Sequence, residues 1–280
     1  MSGTLYLCAT PIGNLEDITF RAVETLKKVD IIAAEDTRNS IKLLNHYNIK
    51  VPMTSYHEHN EQVKGEQLIE RLKKGEEVAL ISDAGTPGIS DPGEWLVKRC
   101  YEEGIKVTSL PGASACIAAL SLSGQSTKRF VFEGFLPRQK KERQRRLEEL
   151  KDETRTIIIY EAPHRLVKIL KEIKENIGNR ECSLCREITK RYETIMKGKI
   201  EDMISYYEET SVKGECVLIV SGRESKDILR EEQERWKKKS LSEHMDCYLS
   251  EEVDKKEAMK KVARDRGITK REVYQLLLEE

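Results

Sequence analysis

The sequence predicts an α/β protein made of two α/β domains and a C-terminal helical tail, and three observations carry that prediction. Short apolar runs recur along residues 4–222 and alternate with stretches of helical spacing, the pattern of strands in a mainly parallel sheet with helices on both faces. Most of these runs stop in polar or Gly/Pro-rich turns, where open α/β sheets build ligand sites. From Ser225 onward the strand pattern is gone and the chain carries fourteen basic and fourteen acidic residues. The expected divisions are 1–124, 125–224 and 225–280.

In the first domain, Thr4 to Thr10 reads as a strand that runs into the tight turn Pro11-Ile12-Gly13-Asn14. Asp17 or Thr19 is placed to cap a helix from Phe20 to Lys28. A second strand, Asp30 to Ala34, ends in Glu35-Asp36-Thr37-Arg38, where Asp36 or Thr37 suits a helix cap, and Ile41 to Tyr47 continues as helix. His57 and His59 in the next polar segment share a strand face. No third ligand stands at a recognisable spacing, so a polar strand end facing a cleft is preferred to a metal site. Gln62 to Lys73 is an amphipathic helix that stops at Lys74-Gly75. Glu77 to Ile81 is a strand leading into Ser82–Gly93, which holds three glycines, two prolines, two aspartates and three hydroxyl side chains. Alone, that stretch is either a well-made strand-to-helix loop or a ligand loop. Helical spacing resumes at Glu94, with Ser90 or Asp91 as the expected cap. Lys106 to Leu110 is a further strand, closing in Pro111-Gly112-Ala113-Ser114-Ala115 before the small-residue helix Cys116 to Leu122. Small residues there let backbone approach a ligand closely.

The second domain begins with Arg129 to Phe135 and has about four strands. Arg138–Arg146 follows, with six basic residues and one acidic among nine. That bias exceeds what i,i+4 pairing needs and points to contact with a phosphate backbone, set against a plain solvated helix face. Arg155 to Tyr160 and Glu181 to Arg186 are strands ending in the polar clusters Glu161-Ala162-Pro163-His164-Arg165 and Glu187 to Glu193. Gly214 to Gly222 is the last strand. In the tail, a connecting helix from Asp227 to Lys239 precedes Lys255 to Arg266, a Gly-containing turn, and Thr269 to Leu278, where Thr269 and Glu272 match a capping box. This helix-turn-helix has a basic side and reads equally as a packing module or an RNA contact.

Bulk composition narrows the classes. Net charge is zero, so nucleic-acid binding must come from local patches. Seven scattered cysteines suit reduced thiols in a cytoplasmic protein, and the single C-x-x-C, Cys182 and Cys185, lacks the second pair a zinc site needs. No run has the length of a membrane span, and the N-terminus is not of signal-peptide type.

Seven ordered stretches together resemble one family: Thr10 to Thr19, Glu35 to Arg38, Ser82 to Gly93, Pro111 to Ala115, Gly134 to Pro137, Tyr160 to Arg165, and Arg186 to Lys190. They are similar to the tetrapyrrole methylase superfamily, and within it to the branch that 2′-O-methylates ribose in 16S rRNA. The resemblance spans about residues 4 to 222, and the tail is its least constrained part. It implies two α/β domains of tetrapyrrole-methylase type with S-adenosylmethionine in the cleft between them, and a homodimer, while the ligand spacing leads us to expect no metal. The implied acceptor is a cytidine ribose of the small ribosomal subunit. On the family pattern the cofactor touches Pro11, Ile12, Gly13, Asp83, Gly85, Thr86, Ser114 and Ala115, with Ala162 and Val217 on the far wall. In-line attack on the sulfonium methyl needs an oriented nucleophile and a route for its proton. Strand-end position makes Glu187, Lys190, Glu161 and His164 the catalytic candidates. Arg38, Arg165 and Arg186 are candidates for phosphate, beside Arg138, Lys140, Lys141, Arg143, Arg145 and Arg146 of the basic run. Two other readings are a tetrapyrrole methyltransferase and a non-catalytic RNA-binding module. The basic run argues against the first, and the Gly-rich loops and polar strand ends argue against the second.

Overall fold

The strand–helix alternation of the N-terminal residues closes into a five-stranded, wholly parallel sheet in the computed structural model, which describes residues 2–250 and 253–279. Its strands are β1 (Thr4–Cys8), β2 (Ile31–Ala34), β3 (Met53–Ser55), β4 (Val78–Ile81) and β5 (Lys106–Leu110), in the order β3-β2-β4-β1-β5. β2 and β4 are buried along their whole length, as central parallel strands covered on both faces must be. Alternation divides their side chains. Ile31 and Ala33 pack with α3 (Glu61–Lys73) and α4 (Glu94–Glu102), while Ile32 and Ala34 pack with α1 (Phe20–Leu26) and α2 (Thr37–His46). The predicted caps form at two helices. Thr19 accepts from the Ala22 N–H at 3.1 Å, and Asp36 accepts from the Arg38 N–H at 2.9 Å. At α4 the expectation fails: the N-cap is Gly93, with no side-chain cap bond. Ser90 sits at φ 63°, so the chain turns away before Asp91 can reach the helix N–H groups. His57 and His59 lie beyond the three-residue β3, in a turn rather than on a strand face.

The second sheet is mixed: β6 (Phe130–Phe135), β7 (Thr156–Glu161), β8 (Glu181–Arg186), β9 (Thr194–Lys199) and β10 (Cys216–Val220), in the order β6-β7-β10-β8-β9. Only β6 and β7 pair in parallel. The sequence predicted about four strands here. The fifth, β9, is an edge strand whose lysines and half-exposed pattern suit an edge and hide it from an apolar-run search. α5 (Ala115–Ser123) follows the first sheet in the chain but packs on the second, with Cys116, Ala119 and Leu120 against Ile158, Cys185, Val217 and Ile219. It ends at Gly124 in the left-handed conformation. α6 (Lys140–Glu149), α7 (Leu166–Ile177) and α8 (Ile200–Glu209) complete this half.

Both sheets belong to one compact unit, Met1–Glu148 with Arg155–Ser221, and a second unit comprises Glu149–Thr154 and Gly222–Glu280. The second unit has helices α9 (Ser225–Lys237), α10 (Leu241–Leu249), α11 (Lys255–Arg266) and α12 (Lys270–Glu279) around a small core that includes Leu241, Met245, Met259, Val262 and Val273. The capping box read from Thr269 and Glu272 is present in both directions, at 2.6 and 3.2 Å. α10 escaped the sequence reading, although Ser240 and Glu243 cap it in the same way.

Six of the seven cysteines are buried and only Cys247 is partly exposed. Burial pushes the Cys8 and Cys100 thiols up to about 12 and those of Cys185 and Cys216 up to about 11. Cys182 and Cys185 are three apart in β8, hence on opposite faces of the sheet. Among the described residues no group of three or more His, Cys, Asp or Glu is placed to hold a metal, and no helix is long and apolar enough to cross a membrane.

Candidate active site

Parallel strands deliver all their C-terminal ends to one edge of a sheet, and here that edge faces the second sheet across a cavity of about 360 Å³. Three loops of the first lobe build one wall. Thr10 and Gly85 join two of them through a backbone bridge, N–H to O at 2.8 and 3.0 Å in the two directions. Gly85 has φ 83°, open to glycine at no steric cost, and the loop turns there toward the cavity. Thr86 ties in the third loop by donating its hydroxyl to the Ala113 carbonyl at 3.1 Å. The far wall comes from the ends of β7 and β10, including Tyr160, Ala162 and Val217. The Tyr160 hydroxyl accepts from the Cys116 N–H at 3.0 Å, and its ring meets Phe132 and Phe135 edge-on, so it is fixed between α5 and β6.

Eight of the ten residues expected to touch a cofactor line this one cavity: Ile12, Asp83, Gly85, Thr86, Ser114, Ala115, Ala162 and Val217. Pro11 and Gly13 do not. Gly13 packs instead against the second lobe, where a Cβ would lie 2.5 Å from Lys190 Cγ and 3.0 Å from the Ile188 carbonyl oxygen. Beside it the Asn14 N–H donates to Thr189 Oγ1 at 3.0 Å. Gly13 is thus a seam residue, demanded by a close approach of two loops.

The charge of the cavity is one-sided. Glu35, Asp83, Asp91, Glu161 and Glu215 line it, and among the described lining residues none is Lys, Arg or His. Asp83 holds its loop in place by accepting from the Asp36 N–H at 3.2 Å and from the Asn39 amide at 2.9 Å. Glu35 accepts from the Asp83 N–H at 3.3 Å, and burial raises its pKa. Glu161 is the most enclosed. One oxygen accepts from the Ala162 N–H at 2.8 Å and lies 3.3 Å from the Arg165 guanidinium. The other oxygen is buried without a hydrogen-bond partner, and burial raises the pKa of the group. A buried orphan acceptor is costly unless a ligand donor completes it. The cavity's size and these walls suit a cationic ligand that carries hydrogen-bond donors.

The other catalytic candidates stand elsewhere. His164 is exposed on a short 3-10 turn and is not part of the wall. Glu187 and Lys190 pair with each other at 3.1 Å behind the wall, and Lys190 also reaches Glu215 at 3.0 Å. Burial alone would lower the Lys190 pKa, but its bonds to Glu215 and Glu187 outweigh that and hold it above the ordinary lysine range. Lys190 thus braces Glu187 and Glu215. Burial would raise Glu187, but the Glu215 N–H and Lys190 hold it ionised. The loop needs this support, because Glu187 and Thr189 both sit at positive φ, 53° and 67°.

Of the residues expected to meet phosphate, Arg138, Lys140, Lys141 and Arg145 are exposed. Arg38 is exposed too, at 88% of its side chain, and forks onto Asp36 at 3.0 and 2.7 Å. Arg143 corrects the expectation. Helical periodicity turns it inward, and its side chain is 2% exposed. It donates to Glu172 at 2.5 and 2.9 Å and to the Pro137 and Arg138 carbonyls at 2.8 Å each. It clamps α6 to α7, and its burial keeps it from reaching RNA. Arg146 forks onto Glu133, Arg165 bonds Glu161 and the Leu136 carbonyl, and Arg186 donates to Thr194 and the Lys213 carbonyl. The sequence reading missed Asp91, Tyr160 and Glu215 in the cavity. Asp91 was masked by its resemblance to a helix cap, and Tyr160 by its place in an apolar strand.

A family model described as Tetrapyrrole (Corrin/Porphyrin) Methylases matches residues 4–204. Ribosomal RNA small subunit methyltransferase I of Bacillus subtilis (strain 168) is 50% identical over 272 residues, covering 97% of this chain and 93% of its own. The protein of the same name from Synechocystis sp. (strain ATCC 27184 / PCC 6803 / Kazusa) is 45% identical over 278 residues, covering 99% and 98%. Among solved structures, a diphthine synthase superposes with a TM-score of 0.62 at 13% identity, over 79% of this chain and 90% of its own. Uroporphyrin-III-C-methyltransferase from Thermus thermophilus superposes with a TM-score of 0.57 at 18% identity, over 78% and 94%. At such identities these two likenesses are of fold alone.

Proposed function

The chain belongs to the tetrapyrrole (corrin/porphyrin) methylase family, and from that premise we propose that it 2′-O-methylates a cytidine ribose in 16S rRNA of the small ribosomal subunit. It is a methyltransferase whose methyl donor is S-adenosylmethionine. The observation that carries the acceptor is the 45–50% identity, over nearly the whole chain, to proteins named ribosomal RNA small subunit methyltransferase I. The tetrapyrrole-acting neighbours share the fold at 18% identity or less.

The donor supplies an electrophilic methyl group on a sulfonium that leaves readily. The chain's part is to hold and orient. In this reading Ile12, Gly85, Thr86, Ser114 and Ala115 shape one side of the donor site, and Ala162 and Val217 the other. The orphan oxygen of Glu161 accepts a hydrogen bond from a donor group of the ligand, and the surrounding carboxylates favour its positive charge. Glu187 and Lys190 act as positioning residues that keep the strained loop against Gly13. Arg138, Lys140, Lys141 and Arg145 meet the RNA backbone, helped by Lys255, Lys256 and Lys270 on the tail helices. The apolar side chains left exposed at Ile117, Leu122 and Phe130 support a homodimer, and ribosomal RNA as acceptor supports a cytoplasmic setting.

The test is methyl transfer from labelled S-adenosylmethionine to small subunits, to free 16S rRNA and to uroporphyrinogen. Nuclease digestion should yield labelled 2′-O-methylcytidine from the ribosomal acceptor. Label entering only the tetrapyrrole would overturn the reading.

A further inference from the structure

A second, more polar chamber of about 720 Å³ adjoins the cofactor cavity, and the two share only Glu35, Ser90 and Asp91. On the chamber side stand His57, Glu58, His59, Glu61, Trp95 and Lys98. A nucleophile approaching a donor in the first cavity has room in the second, with the shared wall between them. We propose that Asp91 is the catalytic proton acceptor of the methyl transfer, its carboxylate receiving the proton of the acceptor hydroxyl at that wall. The inference rests on the reading that the acceptor is a ribose hydroxyl.

Elimination and local structure both lead there. Ser90 does not titrate in the working range, and Glu35 is engaged by the Asp83 N–H. Asp83 is held by Asp36 and Asn39, and both Asp83 and Glu161 lie outside the wall shared with the chamber. Glu215 is largely exposed and paired with Lys190. Asp91 looks like the cap of α4, yet Gly93 takes that position without a side-chain cap. The left-handed turn at Ser90 carries the aspartate off the helix axis, and Ser90 Oγ lies against Gly134 of the second lobe, 2.9 Å from where a Cβ would stand. Ser90 therefore stands at the seam of the two sheets, and Asp91 follows it in the wall that both spaces share.

Its surroundings give it the strength the task needs. Glu35 faces it from the end of β2, Asp83 from the loop after β4, and Tyr160 from β7, with Glu161 in the same cavity and His57 and Lys98 on the chamber side. Burial first, then the Glu35 and Asp83 charges, push its pKa up to about 7. A general base works best with a pKa near the operating pH. As the hydroxyl oxygen forms its bond to the methyl carbon, the carbon–sulfur bond breaks and sulfur keeps that electron pair as a neutral thioether. The hydroxyl proton passes to Asp91, which then loses it to water in the chamber. Charge and electrons balance without a further reactant.

The experiment compares the full-length protein with Asp91→Asn and Asp91→Glu, using small subunits as acceptor in single turnovers across about pH 5.5 to 9. The wild-type rate should rise with pH through the pKa of donor-bound Asp91, which lies below that of the free enzyme, and then level off. Asp91→Asn should lower it by about 100-fold or more and abolish the inflection, and Asp91→Glu should restore part of both. A readout independent of turnover is calorimetry of S-adenosylmethionine binding in two buffers of different ionisation heat. A cation placed beside a half-protonated Asp91 expels a proton, so the wild type should release protons near pH 7 and Asp91→Asn should not. Asp91→Asn turning over at the wild-type rate, or keeping the inflection, overturns the proposal. So does a wild-type single-turnover rate that is flat with pH, which decides the matter even if the variant fails to fold. If the wild type methylates no RNA at all, the functional reading fails, and the proton count on donor binding still tests the ionisation of Asp91.

Discussion

Replacing Arg143 with alanine should damage the fold before it touches RNA binding. The side chain is 2% exposed and its partner Glu172 12%, so the substitution strands a carboxylate and two carbonyls inside the protein. Breaking a buried, hydrogen-bonded ion pair from one side costs about 3–5 kcal/mol. That is a fifth or more of a typical folding free energy of about 5–15 kcal/mol. In a unit of this size it corresponds to a fall in Tm of roughly 6–20 °C. Thermal and urea unfolding of Arg143→Ala, Glu172→Ala and the pair Arg143→Met with Glu172→Met make the assay. Each single variant should lose this stability. The paired variant should recover much of it, because no charge is left alone. The pH dependence has a definite sign. Arg143 holds the Glu172 pKa below the usual carboxylate range, so the pair's contribution is complete above the unfolded-state pKa. It disappears as pH falls through the lowered folded value, and the gap between wild type and Arg143→Ala should narrow in acid. An Arg143→Ala protein that melts with the wild type, while the salt dependence of its RNA binding becomes shallower, would refute the buried-clamp account.

Two further outcomes follow from the cavity and its seam. Gly13→Ala places a Cβ 2.5 Å from Lys190 Cγ and 3.0 Å from a backbone oxygen that cannot swing aside, so overpacking should cost about 1–3 kcal/mol in urea unfolding. Donor affinity should fall with it, since the neighbouring Ile12 lines the cavity. Glu161→Gln keeps the shape but removes the charge, and isothermal titration should find S-adenosylmethionine binding weaker by about 1.5–3 kcal/mol, the range for a hydrogen bond to a charged group. Unchanged affinity would show that the orphan oxygen does not meet the donor.

Much of this architecture is legible in the sequence, because strand ends and glycines are local signals. The turns at Pro11 to Asn14, Ser82 to Gly93 and Pro111 to Ala115 mark where parallel strands stop, and a parallel sheet gathers those stops at one edge. What the sequence hides is set by long-range packing. Arg143 carries the same charge as Lys140 and Lys141, and only the docking of α6 on α7 distinguishes it from them. Asp91 has the residue type and position of a cap, and only the backbone turn at Ser90 removes it from that task. Lys190 reads as a candidate base, and only the folded chain brings Glu187 and Glu215 to it as partners. β9 is missed for a related reason: its pairing partner β8 makes it a strand, while its own side chains face water.

The burial of the thiols has a practical consequence. Cys8, Cys100, Cys116, Cys182, Cys185 and Cys216 are enclosed, and only Cys247, on α10 of the helical unit, reaches solvent in part. A thiol reagent reacts through the exposed thiolate. In its native state a protein with seven cysteines therefore behaves as a one-cysteine protein. A fluorophore or spin label added without any mutagenesis would report from α10 alone, leaving both sheets and the cavity unmodified, and the other six thiols would become reactive only as the sheet-bearing unit unfolds.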